Sequence, residues 1–160
     1  MIRRFYVDEI GKLESIGRVI LDFSLLEELI RSSVGRLIDD EFKIRQMITD
    51  KLQFHDLLEL FDSIYRHKVK DHGKINELND LLNRAREAYE KRHNIIVPSR
   101  ANMGHNLYDS IGFGHPRKKF ESKLVILKAN ELDDISDFIY GVATDISEFM
   151  LLTVNSGELG

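Results

Sequence analysis

No proline occurs before position 98, and the residues ahead of it are patterned in steps of three and four. A helix of 3.6 residues per turn needs that spacing, and an uninterrupted backbone amide ladder allows it to run long. In the first segment Ile10, Leu13, Ile16, Val19, Ile20, Phe23, Leu26, Leu29, Ile30, Val34, Leu37 and Ile38 mark the apolar stripe, with Glu14, Arg18, Asp22, Glu27, Arg31 and Arg36 in the gaps. The pattern predicts a helix over about 7–39. Gly11, Gly17 and Gly35 each cost it about 1 kcal/mol relative to Ala. Their presence implies close approach of a neighbouring helix. Asp39-Asp40 opposes the dipole at a C-terminus, so the helix stops there and Asp40 caps the next one.

A short helix over 41–50 carries Phe42, Ile44, Met47 and Ile48. A third, over 53–68, carries Phe54, Leu57, Leu58, Leu60, Phe61, Ile64 and Tyr65. The polar run His67 to Lys74 reads as a loop. A fourth helix spans 74–96 through Ile75, Leu78, Leu81, Leu82, Ala85, Ala88, Tyr89 and Ile95-Ile96, and Pro98 is expected to end it. Residues 98–118 lose all period. Phe120 and Lys123–Leu127 read as extended chain, one arm of a hairpin. A last helix starts at Asn130 or Glu131 and turns Leu132, Ile135, Phe138, Ile139, Val142, Ile146, Phe149 and Met150 inward, ahead of a frayed tail over 156–160. The expected fold is all-α: an antiparallel four- to five-helix bundle, with a short extended or hairpin segment near 119–128, forming one domain over 1–160.

Composition agrees with that reading. At 42% hydrophobic and 31% charged residues, 160 positions suffice for one well-filled core. The chain has no cysteine, which removes disulfides and thiolate metal sites and suits a reducing compartment. Arg3-Arg4 is not followed by an apolar signal core, and no run approaches 18 apolar residues. The expectation is a cytoplasmic protein with no membrane partner. A net charge of −4 argues against a globally basic nucleic-acid binder and leaves room for a local patch.

The most specific stretch is Glu90-Lys91-Arg92-His93-Asn94-Ile95-Ile96-Val97-Pro98-Ser99. With the order of helices around it, it resembles the HEPN superfamily of prokaryotic four-helix-bundle proteins, over roughly residues 10–150. It looks like the family's Arg, a polar residue that is often Asn, a spacer containing Ile, then His and a small residue. In active members that Arg and His form a metal-independent ribonuclease site completed across a dimer. The resemblance implies Arg92, His93 and Asn94 as catalytic candidates, a homodimer, RNA or a nucleotide as partner, and a defence or toxin–antitoxin setting.

This chain departs from the pattern at its centre. Aligning Asn94 with the family Asn puts His93 at the Arg position and Pro98 at the His position; aligning Arg92 with the family Arg leaves Val97, Pro98 and Ser99 where His is needed. Proline cannot carry a proton. Looser Arg-to-His spacings occur at Arg66…His72, Arg86…His93 and Arg100…His105, and such spacing alone is weak. The expectation is therefore a binding or assembly module with a degenerate site. Its rivals are an active ribonuclease that pairs Arg92 and His93 with a group such as His105, and a purely structural bundle.

Other sites are sparse. Arg117, Lys118 and Lys119, with Arg100, are the nucleic-acid contacts the charge pattern offers, flanked by Tyr108, Phe113 and Phe120 for stacking. Gly112 and Gly114 make no phosphate-cradling signature, and no cofactor motif is present. The histidines lack helical metal-site spacing, and Asp22, Glu27 and Glu28 lack the Glu-x-x-His partner of a two-metal site. These carboxylates read as the exposed face of the first helix.

Overall fold

The computed structural model describes the backbone of residues 3–38, 41–108 and 129–155, and side chains within 11–38, 41–95 and 129–155. Five helices, and no strand, occur among these residues: α1 (Arg3–Ile38), α2 (Phe42–Thr49), α3 (Phe54–Lys68), α4 (His72–Tyr108) and α5 (Ala129–Asn155). The extended segment near 119–128, the cap expected at Asp40 and the tail over 156–160 lie outside the described residues. The residue at the N-cap of α2 is Glu41, which makes no side-chain cap.

Local chemistry sets the helix ends. Gln53 and Asp56 close a capping box on α3, with the Gln53 amide donating to Asp56 Oδ2 at 3.2 Å. Arg66, His67 and Lys68 occupy its last turn, where positive charge meets the negative dipole end. Asp71 Oδ1 then accepts the amides of Gly73 at 2.7 Å and Lys74 at 3.3 Å, which starts α4 at His72. The loop expected over 67–74 is thus present but shorter, limited to residues 69–71 between α3 and α4.

A second boundary also differs. Pro98 does not end α4, which continues to Tyr108. An interior proline removes one ladder bond and strains against the preceding turn, a penalty of about 3 kcal/mol. Burial of the helix up to Ile95 anchors α4 just ahead of it.

Cross-contacts fix the directions. Gly35 meets Arg45, and Arg31 bonds the Thr49 carbonyl, so α2 runs back along α1. Arg66 pairs with Asn79 and Phe54 stacks on Tyr89, so α3 and α4 are antiparallel. Arg84 bonds Asp145 while Lys91 lies over Phe138, so α4 and α5 are antiparallel. Arg18 pairs with Asp133 and Asp22 with Ser136, so α1 and α5 run parallel. This last pair packs most extensively.

One core fills the space between the helices. Val19, Phe23, Leu26, Ile30, Val34 and Leu37 of α1 meet Phe54, Leu57, Leu58, Phe61 and Tyr65 of α3, Leu78, Leu82, Ala85 and Ala88 of α4, and Ile139, Val142, Ile146 and Phe149 of α5. Two residues of the expected stripe fall outside it: Leu13 and Ile20 are exposed. All four apolar residues of α2 are exposed as well, and only Thr49 of that helix is buried. Of the three glycines, Gly35 is closely packed, with Arg45 side-chain carbons 3.1–3.3 Å from where a Cβ would stand. Gly11 and Gly17 have nothing within 4 Å of that position among the described residues, so none of the described helices approaches them closely.

Candidate functional site

Arg92 and His93 sit on adjacent positions of α4, about 100° apart around the axis. The structure sends them to different neighbours. The Arg92 guanidinium lies 4.9 Å from the ring centroid of Phe23 on α1. Its Nε is buried without a hydrogen-bond partner among the described residues. His93 is exposed, and its ring stacks on Tyr89 one turn earlier, at 5.9 Å and 15°. Asn94 is exposed.

Tyr89 is the hub. Its ring stacks on Phe54 at 5.5 Å and 10°, and His55 meets it edge-on at 4.6 Å. Phe23 closes the inner side, 4.9 Å from Phe54 and 6.0 Å from Tyr89. Phe23 and Phe54 are buried, Tyr89 and Arg92 half-buried, and His55 and His93 exposed. The result is a graded ring cluster, apolar inside and imidazole outside, with one cation against it. Antiparallel pairing of α3 and α4 brings His55 to the level of Tyr89.

His55 and Tyr89 are thus site residues that motif reasoning passes over. Tyr89 and His93 are four apart, so their shared face is readable from sequence. The arrival of His55 is not, because it depends on how α3 pairs with α4.

The remaining candidates separate. The side chains of Arg100, His105, Arg117, Lys118 and Lys119 lie outside the described residues. Arg66 holds Asp62 at 2.7 Å and Asn79 at 2.5 Å, a tie between α3 and α4 rather than a partner for His72. Arg86 donates to Asn83 at 2.8 Å. Asp22, Glu27 and Glu28 are not one exposed face: half-buried Asp22 accepts the Ser136 hydroxyl, half-buried Glu27 holds Arg31 at 3.0 Å, and Glu28 alone of the three is exposed. Packing of α5 and α2 onto α1 recruits the first two. No group of three or more metal-ligating residues occurs among the described residues. A cleft of about 170 Å³ opens between α1 and α2, lined in part by Glu28, Arg31, Gly35 and Arg45. Arg31 there clamps the carbonyls of Thr49 and Leu52, which is a structural task.

No helix of the described residues is long and apolar enough to cross a membrane. Compared with known proteins, the chain matches no family model, no curated protein and no solved structure.

Proposed function

We propose that this chain is a HEPN-like helical module with a degenerate ribonuclease motif, which works by binding single-stranded RNA or a nucleotide and by assembling with a second copy of itself. The observation that carries the non-catalytic reading is the parting of Arg92 from His93. Metal-free RNA cleavage needs a base for the 2′-hydroxyl, an acid for the leaving oxygen and a cation on the phosphate between them. Arg92 instead packs its guanidinium on Phe23, and His93 leans on Tyr89. The family's histidine position holds Pro98. Weak, salt-sensitive contacts through Arg100, Arg117, Lys118 and Lys119 complete the proposed RNA binding.

Assembly is supported by a separate surface. Leu13, Ile20, Leu21 and Leu25 of α1 and Tyr140, Leu151 and Leu152 of α5 are exposed. Gly17 and Gly141 lie among them with open space where a Cβ would stand. Apolar side chains around bare backbone suit the close approach of another helix.

Incubation with labelled single-stranded RNA in EDTA tests the reading. The expected result is intact RNA and salt-dependent binding. Cleavage that Arg92→Ala or His93→Ala abolishes, at unchanged helicity, would make the chain an active ribonuclease. Neither cleavage nor binding would leave a structural, protein-binding bundle.

A further inference from the structure

We infer that the outer edge of the ring cluster, His55, Tyr89 and His93 with Arg92 beside them, is the surface on which this protein stacks the bases of single-stranded RNA. The inference rests on the RNA-binding reading above and moves its principal contact from the basic segment around Arg117 to the α3/α4 seam.

The geometry favours flat, anionic ligands. His93, Tyr89 and Phe54 are near-parallel, at 15° and 10° between successive rings. The order runs from exposed to half-buried to buried, so the stack is anchored inside and open outside. His55 lies across the Tyr89 edge at 4.6 Å and offers a second exposed ring in another orientation. Two open imidazoles around one half-open phenol give room for more than one base. Arg92, half-buried, sets its positive charge against the inner side of the same cluster, on Phe23. Of the two carboxylates adjacent in sequence to the cluster, Asp56 is turned back on the Gln53 amide at 3.2 Å, and Glu90 stands exposed beside Tyr89. Nucleotides combine a flat π-face with a negative backbone, which rings beside a cation match.

Fluorescence anisotropy with labelled oligouridine, and with an abasic oligomer of the same length, provides the test. The intact chain should bind oligouridine more tightly than the abasic strand. His55→Ala with His93→Ala should weaken oligouridine binding by about tenfold or more, the loss expected from one or two base stacks. His55→Phe with His93→Phe keeps the rings and should retain most of the affinity, which separates stacking from misfolding. His67→Ala with His72→Ala, exposed outside the cluster, should change nothing. In the intact protein, the imidazole proton resonances of His55 and His93 should shift when the strand is added. Tight binding that ignores the double alanine variant, or equal affinity for the abasic strand, overturns this inference and leaves RNA binding standing. Absence of any binding by the intact chain overturns both.

Discussion

The hydroxyls of Tyr65 and Thr153 lie 3.3 Å apart in the core, joining α3 to the last turns of α5 across 88 positions. Both side chains are buried, and Thr153 also donates to the Phe149 carbonyl at 2.9 Å. The ring of Tyr65 meanwhile packs 5.3 Å from Phe149. Removing the hydroxyl alone should therefore cost little, because Thr153 keeps an acceptor. Tyr65→Phe is expected to lower unfolding free energy by about 1 kcal/mol. Tyr65→Ala empties the ring site and should cost about 3–5 kcal/mol. Urea unfolding followed by circular dichroism reads both, and equal losses would show that the hydroxyl, not the ring, holds α5.

Arg31 and Arg84 look alike on paper and differ in consequence. The Arg31 side chain is 16% exposed and holds Glu27 together with two carbonyls at the end of α2. Arg31→Leu strands those acceptors and should cost about 1.5–3 kcal/mol. It should also speed amide exchange in α2 ahead of the rest of the bundle. Arg84 pairs with Asp145 at 2.6 Å, yet the two side chains are 41% and 43% exposed. Solvent screening leaves Arg84→Ala below about 1 kcal/mol. A larger loss at Arg84 than at Arg31 would contradict this ranking.

Gly17 and Gly35 give opposite expectations on one helix. A methyl group at Gly17 meets nothing within 4 Å, whereas at Gly35 it comes within 3.1–3.3 Å of Arg45. Gly17→Ala should stabilise the isolated chain by about 1 kcal/mol through helix propensity. Gly35→Ala should lose most of that gain while Arg45 shifts. If Gly17→Ala instead weakens a dimer, the glycine serves an interface between chains.

Self-association has its own readout. Light scattering at micromolar protein should give a dimer mass that falls on dilution. Leu21→Lys with Leu25→Lys, at positions 70% and 42% exposed, should give a monomer of unchanged helicity. A concentration-independent monomer from the unaltered chain would remove the proposed assembly.

Arg92 contributes to the fold as well as to the proposed surface. Its contact with Phe23 should be worth about 0.5–1 kcal/mol at a half-buried site. Arg92→Met keeps an apolar stem and loses the guanidinium with its charge, so stability should fall by no more than that. RNA affinity should fall with it and become less sensitive to salt. Stability reduced severalfold beyond this range would make Arg92 a core residue first.

Much of the bundle is legible in the three-and-four spacing, because burial of one stripe is what that spacing encodes. The described stripe residues of α3, α4 and α5 are all buried or packed against the core, and Ala143 joins them there. The spacing fails where an apolar residue has no helix opposite: Leu13 and Ile20 continue the stripe of α1 yet stand exposed. It fails again at His72–Lys74, the end of the expected loop, where Asp71 turns polar residues into the start of a helix. Pro98 shows the same limit, since local preference at one residue does not outweigh a helix already anchored at Ile95. In the candidate site, Tyr89 and His93 share a face by spacing alone. His55 joins them only through tertiary pairing, and one-dimensional periodicity carries no record of which helix lies alongside.

The parallel pairing of α1 with α5 has a consequence for how the chain is made. Synthesis releases α1 first, but its broadest partner comes last. At a ribosomal pace of roughly 5–20 residues per second, the 114 positions between Asp22 and Ser136 leave the seam of α1 uncovered for on the order of ten seconds. During that interval the α5-facing edge of α1, around Leu25 and Leu29, stays open to its surroundings. Nascent chains on one message would meet each other, or a chaperone, before α5 arrives, and a transcript truncated ahead of Ala129 would leave a product that aggregates rather than a smaller working domain.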